Sequence, residues 1–174
     1  MTEVLSITNY PYHSWKEIFP DHNVDVSTLF NIDPSWIDLF DSLKNDFTKI
    51  SQFLTLCLNK TDGKIKMYPY PNLVFNAFQL PINKIKVVII GQDPYHDSLE
   101  VDGKIIPQAM GFCFSVPIGM KIPSSLVNIQ KNLLKFNHID KLPKHGNLID
   151  WVEQGCMLLN TSLTVQHGYA NSHA

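Results

Sequence analysis

Arginine is absent from this 174-residue chain: all fourteen basic residues are lysine. Bidentate guanidinium recognition of phosphate or guanine is therefore excluded, and every fixed cation is an ammonium point charge. Charge is scarce altogether, at 17% of residues against roughly 25% in soluble domains. Fourteen basic against sixteen acidic residues leave a net charge of −2, far from the basic balance of a protein that coats nucleic acid. No apolar run approaches the roughly 18 residues of a membrane-spanning helix, so no membrane span is expected. The opening residues MTEVLSITNYPYHSW have neither a basic start nor an apolar core, so no secretory leader is expected. Only three cysteines occur, Cys57, Cys113 and Cys156. Odd in number and widely spaced, they fit neither a disulfide framework nor a metal pattern, which favours a reducing, intracellular setting.

What is present is apolar: 44% of the residues, enough for one packed domain over 1–174 and too much for a disordered chain. Charge is unevenly placed. Residues 1–50 carry three lysines against eight acids, and the remainder eleven lysines against eight acids. A polyanionic partner should meet the second part, and meet it locally.

The first part, 1–64, reads as mostly helical. Ser14-Trp15-Lys16-Glu17 has the spacing of a capping box. Asp33-Pro34 offers an N-cap and a first-turn proline, followed by Ile37, Phe40 and Leu43 at helical spacing. That period continues through Phe47, Ile50, Phe53, Leu54 and Leu58 to about Asn59, a stripe expected in the core. Thr61-Asp62-Gly63 is a turn, and Tyr68-Pro69-Tyr70-Pro71 an extended, helix-free passage.

The second part alternates. Lys86-Val87-Val88-Ile89-Ile90, stopped by Gly91, reads as a central parallel strand buried on both faces. Ser124 or Ser125 can cap a helix through Phe136, and Asn147 a helix from Leu148 to Gln154 that ends at Gly155. Cys156-Met157-Leu158-Leu159-Asn160 then reads as a second buried strand. Strand, helices, strand makes an α/β arrangement with a parallel sheet. Ligands of such sheets bind beyond the carboxyl ends of the strands, here Gly91-Gln92-Asp93-Pro94-Tyr95-His96 and Asn160-Thr161-Ser162. A carboxylate at Asp93, just past a strand and followed by proline, is held rigidly and can orient a water or stabilise a cation. Asn160 can read an amide-like ring edge. A helix cap at Asp93 and a turn at Asn160 fit the same positions.

Lys86 to His96, KVVIIGQDPYH, resembles the water-activating motif of the family-1 uracil-DNA glycosylases. Further matches follow in order: Tyr68-Pro69, Gln108-Ala109, Gly111-Phe112-Cys113-Phe114-Ser115-Val116, Pro123-Ser124-Ser125-Leu126, His145-Gly146-Asn147-Leu148, Leu158-Leu159-Asn160 and Ala170-Asn171-Ser172-His173. The resemblance covers roughly residues 65 to 174. It implies a three-layer α/β/α fold with a short central parallel sheet, four-stranded in the family, of which about two strands are recognisable here.

The resemblance also implies roles. The substrate is uracil in single- or double-stranded DNA, flipped into a pocket. Asp93 aligns the attacking water and stabilises the oxocarbenium-like sugar; Gln92 lines the pocket. Tyr95 presses on C5 of the base, where a thymine methyl would clash. Phe114 stacks on the uracil face, and Asn160 bonds its N3–H and O4. His96 and Ser125 hold flanking phosphates; Ser125 reads equally as a helix cap. No metal or cofactor is implied, no membrane association, and a monomer is expected, with a proteinaceous glycosylase inhibitor or a replication protein left open as a further partner. His138, His145 and His167 read as loop residues rather than metal ligands.

Three departures stand out. Eleven residues, Asp97 to Pro107, separate His96 from Gln108, a longer link than usual, and its Asp102-Gly103 suggests a surface turn. Met110 stands where many members have His, and Ser124 where many have proline. The family's leaving-group histidine and duplex-invading leucine match no residue here. The expectation is a shortened family member with little activity, poor folding and a second strand exposing an apolar edge. The readings held beside it are an inactive DNA- or protein-binding module and a hydrolase of free nucleosides. No P-loop, G-x-G-x-x-G or nucleophile elbow supports the latter.

Overall fold

In the computed structural model, which describes residues 4–11 and 13–174, helices and turns dominate up to Lys60. The leader expectation for the opening residues falls partly outside that range. Ser14 accepts from the Glu17 N–H while the Glu17 carboxylate accepts from the Ser14 N–H, so the capping box starts α1 (Trp15–Ile18) as expected. Asp33 accepts from the Ser35 N–H and caps the 3-10 turn Pro34–Trp36. Two helices follow, α2 (Ile37–Ser42) and α3 (Lys44–Lys60), because the helical period expected to run on to Asn59 breaks at Leu43. Among the described residues no helix is long and apolar enough to cross a membrane.

Beyond β1 (Met67–Tyr68) the chain is extended to Tyr70, then turns 3-10 at Pro71–Leu73. Next come β2 (Val87–Gly91), β3 (Ser98–Val101), β4 (Lys104–Pro107), α4 (Ser124–Lys135), α5 (Ile149–Glu153), β5 (Cys156–Asn160) and β6 (Val165–Gln166). β2 and β5 run parallel, in register from Val87↔Cys156 to Gly91↔Asn160. β1 and β6 pair antiparallel. The 97–107 link folds as the hairpin β3–β4. Its turn residues Asp102 and Gly103 both have positive φ, 50° and 75°, the two-residue geometry that the right-handed strand twist favours.

Phe30, Phe40, Phe47 and Phe75 pack mutually, with centroids 4.8–6.0 Å apart and mostly edge-to-face. Trp36 joins them through Phe78, with its indole N–H donating to Leu80 O at 2.9 Å. This cluster fixes the helical part against the segment that leads into β2.

Two expectations are corrected. β2 is not buried on both faces: Val87 is 51% exposed, Val88 48% and Ile90 63%. Among the described residues β5 is its sole strand neighbour. β5 itself lies against α5 and the 3-10 turn Asn76–Gln79 and is buried from Cys156 to Leu158. The exposed apolar strand is therefore the first, not the second. The 47–58 stripe is only partly core: Leu54 and Leu58 are buried, while Ile50 and Phe53 are exposed. One turn earlier on α3 these side chains face a cavity of about 710 Å³, lined also by Thr161–Thr164 and Ser172–Ala174.

Candidate active site

The register Gly91↔Asn160 sets the site. It puts Asn160 beside the last residue of β2, two residues before Asp93, and neighbouring strands lie only about 4.7–4.9 Å apart. Pairing continues past the strand ends: the Thr161 N–H donates to Gly91 O and the Ser162 N–H to Gln92 O, each at 3.0 Å. The Thr161 hydroxyl donates to Gln92 O at 2.7 Å. The two carboxyl-terminal loops are thus joined, and their side chains share one rim. Gly91 is required here, because a Cβ would overlap Asn160 Oδ1 and lie 2.8 Å from Cys113 Cβ.

Between these loops lies a cavity of about 270 Å³. It is just below the roughly 300–1,000 Å³ of drug-sized sites and suits a single heterocycle. Gln92, Asp93, Tyr95, His96, Phe114 and Asn160 all line it. Six of the seven residues expected at the site therefore share one wall system. The seventh, Ser125, sits behind Tyr95, with Oγ 2.8 Å from the Tyr95 hydroxyl. Neither Ser124 nor Ser125 caps α4: the N-cap is Pro123, without a side-chain bond. The cap expectation fails because the Ser125 hydroxyl is turned to the aromatic ring instead. Asn147 does accept from the Ile149 N–H at 2.9 Å, just before α5, and its amide donates to Leu5 O.

Asp93 is half-buried, and its Oδ2 accepts from the Asn171 N–H at 2.6 Å. The same returning segment touches His96, whose carbonyl accepts from the Gly168 N–H at 3.0 Å and lies 3.1 Å from His167 Nδ1. Residues 168–171 are folded over the Asp93–His96 loop, and Ala170 lines the cavity. His96 Nδ1 is 3.5 Å from Asp97 Oδ1. Burial pushes the Tyr95 hydroxyl up from its ordinary pKa, partly offset by the Ser125 bond, so the ring meets the cavity as neutral phenol.

Phe114 lies in no strand. It has φ +63°, a genuine outlier for a bulky residue that costs on the order of 1–3 kcal/mol. Its neighbours hold it there. The Val116 N–H donates to Gly146 O at 3.0 Å, and the Ser115 hydroxyl accepts from the Leu148 N–H at 2.9 Å. Residues 109–111 are anchored from outside: the Tyr10 hydroxyl donates to Ala109 O at 2.5 Å, and the Asn76 amide to Met110 O at 2.8 Å. Sequence reasoning missed Tyr10 and Asn76, whose side chains bond backbone carbonyls of a distant segment, and Asn171, whose own backbone N–H bonds the Asp93 carboxylate. Asn171 carries a faint signal, since Asn tolerates the positive φ found there, +60°.

His138, His145 and His167 converge on no metal-ligating cluster among the described residues. A carboxylate, a planar amide and two aromatic rings around a ring-sized cavity, at the ends of parallel strands, define an α/β protein with a polar and aromatic pocket at the carboxyl ends of its strands. No protein-family profile matches the chain. The probable uracil-DNA glycosylase of Acanthamoeba polyphaga mimivirus is 41% identical over 174 residues, 98% of this chain and 45% of that protein. The uracil-DNA glycosylase of Azotobacter vinelandii is 46% identical over 152 residues, 86% of this chain and 60% of that protein. The crystal structure of mimivirus uracil-DNA glycosylase superposes with a TM-score of 0.89 at 40% identity, covering 98% of this chain and 60% of that one. A mimivirus variant solved in complex with UGI gives the same TM-score. The chain belongs to the uracil-DNA glycosylase family. It spans about half the length of the curated relatives it matches.

Proposed function

We propose that this chain's cavity receives a uracil base flipped out of DNA, and that Asp93 directs hydrolysis of the bond joining the base to deoxyribose. One observation carries the reading: Asp93 and Asn160 lie on the same ring-sized cavity, brought there by the parallel register of β2 and β5. Asn160 offers an acceptor to uracil N3–H and a donor to O4; cytosine reverses that pattern, and each mismatched buried group costs about 1–3 kcal/mol. Phe114 stacks on the base. Tyr95 closes the C5 side, where a methyl group has no room. Gln92 completes the rim.

The N1–C1′ bond breaks with its electron pair leaving on uracil, and positive charge spreads over C1′ and the ring oxygen. The Asp93 carboxylate, fixed through Oδ2 by Asn171, stabilises that charge and aligns a water through its other oxygen. The water oxygen bonds to C1′ and its proton passes to the carboxylate; the departing uracil anion takes up a proton from solvent and Asp93 gives one back to solvent, leaving free uracil, an abasic site and the carboxylate restored. His96 and Ser125 face the flanking phosphates, contacts that position the strand without reading sequence. Every atom is supplied by substrate and water, so the reading includes no cofactor. It also includes an intracellular setting, in keeping with the free thiols of Cys57, Cys113 and Cys156, and a protein inhibitor of the UGI kind at the mouth of the cavity.

Release of free uracil from a single-stranded oligonucleotide with one dU is the test, with Asp93→Asn as control. Turnover abolished by that change supports the proposal. Binding of the dU strand without release, lost in Asn160→Ala, would replace it with a binding module. Cleavage of free deoxyuridine but not of the oligonucleotide would replace it with a nucleoside hydrolase.

A further inference from the structure

Ser125 is the one expected site residue that does not line the cavity, yet its hydroxyl lies 2.8 Å from that of Tyr95, which does. Helix capping does not account for the contact, since Pro123 is the N-cap of α4 and Ser125 makes no cap bond. The alternative acceptor for the Tyr95 hydroxyl, Phe114 O, is 3.4 Å away, too long for a good O–H···O bond. The hydroxyl end of the Tyr95 ring is therefore held chiefly by Ser125. Resting on the uracil reading above, we infer that Ser125 is a positioning residue for Tyr95. The hydroxyl that faces the DNA backbone also sets how firmly the C5 side of the pocket is closed.

The chemistry of two hydroxyls makes this a coupling. Each has one proton to donate and two lone pairs to accept. When Ser125 donates to Tyr95, the Tyr95 proton is left with the distant Phe114 carbonyl. When Tyr95 donates to Ser125, the Ser125 proton is free to bond a phosphate oxygen. Phosphate at Ser125 selects the second arrangement and gives the Tyr95 hydroxyl its best acceptor. Hydrogen bonds in such a chain strengthen one another. Engagement of the strand thus stiffens the wall that rejects a 5-methyl group, and discrimination is greatest when the backbone is bound.

The readout is a ratio. Affinities of the full chain for single-stranded 12-mers carrying one dU, or one dT in its place, are compared by fluorescence anisotropy at fixed salt. Ser125→Ala should lower the dU-over-dT preference by roughly fivefold, the factor one net hydrogen bond is worth. Ser125→Thr, which keeps the hydroxyl, should restore it. Tyr95→Phe, which keeps the ring, should lose the same factor, and adding Ser125→Ala to it should cost nothing more. Equal weakening of dU and dT binding in Ser125→Ala would reduce Ser125 to a phosphate contact and overturn the inference alone. A wild-type chain that prefers neither strand would overturn the uracil reading and this inference together. Should Ser125→Ala fail to fold, Ser125→Thr is compared with Tyr95→Phe instead: a higher preference in Ser125→Thr supports the coupling, and equal preference in those two variants overturns it.

Discussion

Asp93 Oδ2 accepts the backbone N–H of Asn171 at 2.6 Å across a sequence separation of 78 residues. One carboxylate oxygen is thereby committed to the protein, leaving the other for chemistry at the cavity. Asn171 donates from a left-handed conformation, φ +60°, which Gly and Asn tolerate and β-branched residues do not. If the proposed hydrolysis holds, Asn171→Gly should keep the bond and most of the uracil release. Asn171→Val should rotate the N–H away, and a misplacement of about 1 Å costs on the order of 10²-fold in rate. Steady-state kinetics should place that loss in kcat, with KM little changed, because Asn171 touches no base.

Gly91 is the hinge between strand and site. A methyl group there overlaps Asn160 Oδ1 and meets Cys113 Cβ at 2.8 Å, and neither neighbour is the loose end of a long chain. Gly91→Ala should displace the Asn160 amide and destabilise the fold by about 1–3 kcal/mol through overpacking. Binding of a dU oligonucleotide should fall to the level of Asn160→Ala, read by anisotropy, while far-UV circular dichroism stays that of the parent.

Much of this architecture is legible in the residues. Local signals specify local structure: the Ser14 capping box, the Asp33-Pro34 start, the Asp102-Gly103 hairpin turn and the two apolar strands. KVVIIGQDPYH locates the cavity, because an apolar strand ending in Gly-Gln-Asp-Pro dictates both the turn and the rigid carboxylate. What stays hidden depends on contacts between distant segments. An apolar run says that Val87–Ile90 forms a strand, but not how many neighbours cover it. A serine in the first turn of a helix reads as a cap, and only Tyr95, thirty residues earlier, makes it something else. The apolar look of Gly111–Val116 says nothing of the positive φ at Phe114, whose neighbours Ser115 and Val116 are bonded to Leu148 and Gly146.

Alkaline pH should destabilise the chain. Burial pushes the Cys113 thiol up to about 12, against an ordinary value of 9.0. Burial also raises Tyr10, Tyr68, Tyr95 and Cys156. Each is an acid that holds its proton more tightly when folded. Between pH 9 and 12 the folded state binds more protons than the unfolded one, and stability falls as pH rises. The contribution is fully present below the unfolded values. The thermal midpoint should be level from pH 7 to 8.5 and decline steadily above pH 9, with Cys113→Ala showing a shallower decline. The buried thiols should also resist alkylation at pH 8, leaving the half-buried Cys57 to react first.

β2 carries a physical liability that can be measured. Val87, Val88 and Ile90 are about half exposed or more, and among the described residues β5 is the strand's only ladder partner. An apolar strand with an open row of N–H and C=O groups is a template for pairing with another chain. The isolated 174-residue chain should therefore associate as its concentration rises, by adding strands at β2. Light scattering after size exclusion should show the apparent mass climbing. Val88→Lys sets a charge in the middle of that strand at little cost in core packing, since Val88 is 48% exposed. It should lower the associated fraction several-fold and leave the site intact, because Gly91 and Asn160 lie three register positions further along. Association unchanged by Val88→Lys would move the liability elsewhere, to the exposed Ile50 and Phe53 of α3. Ile50→Lys would then be the variant that restores a single species.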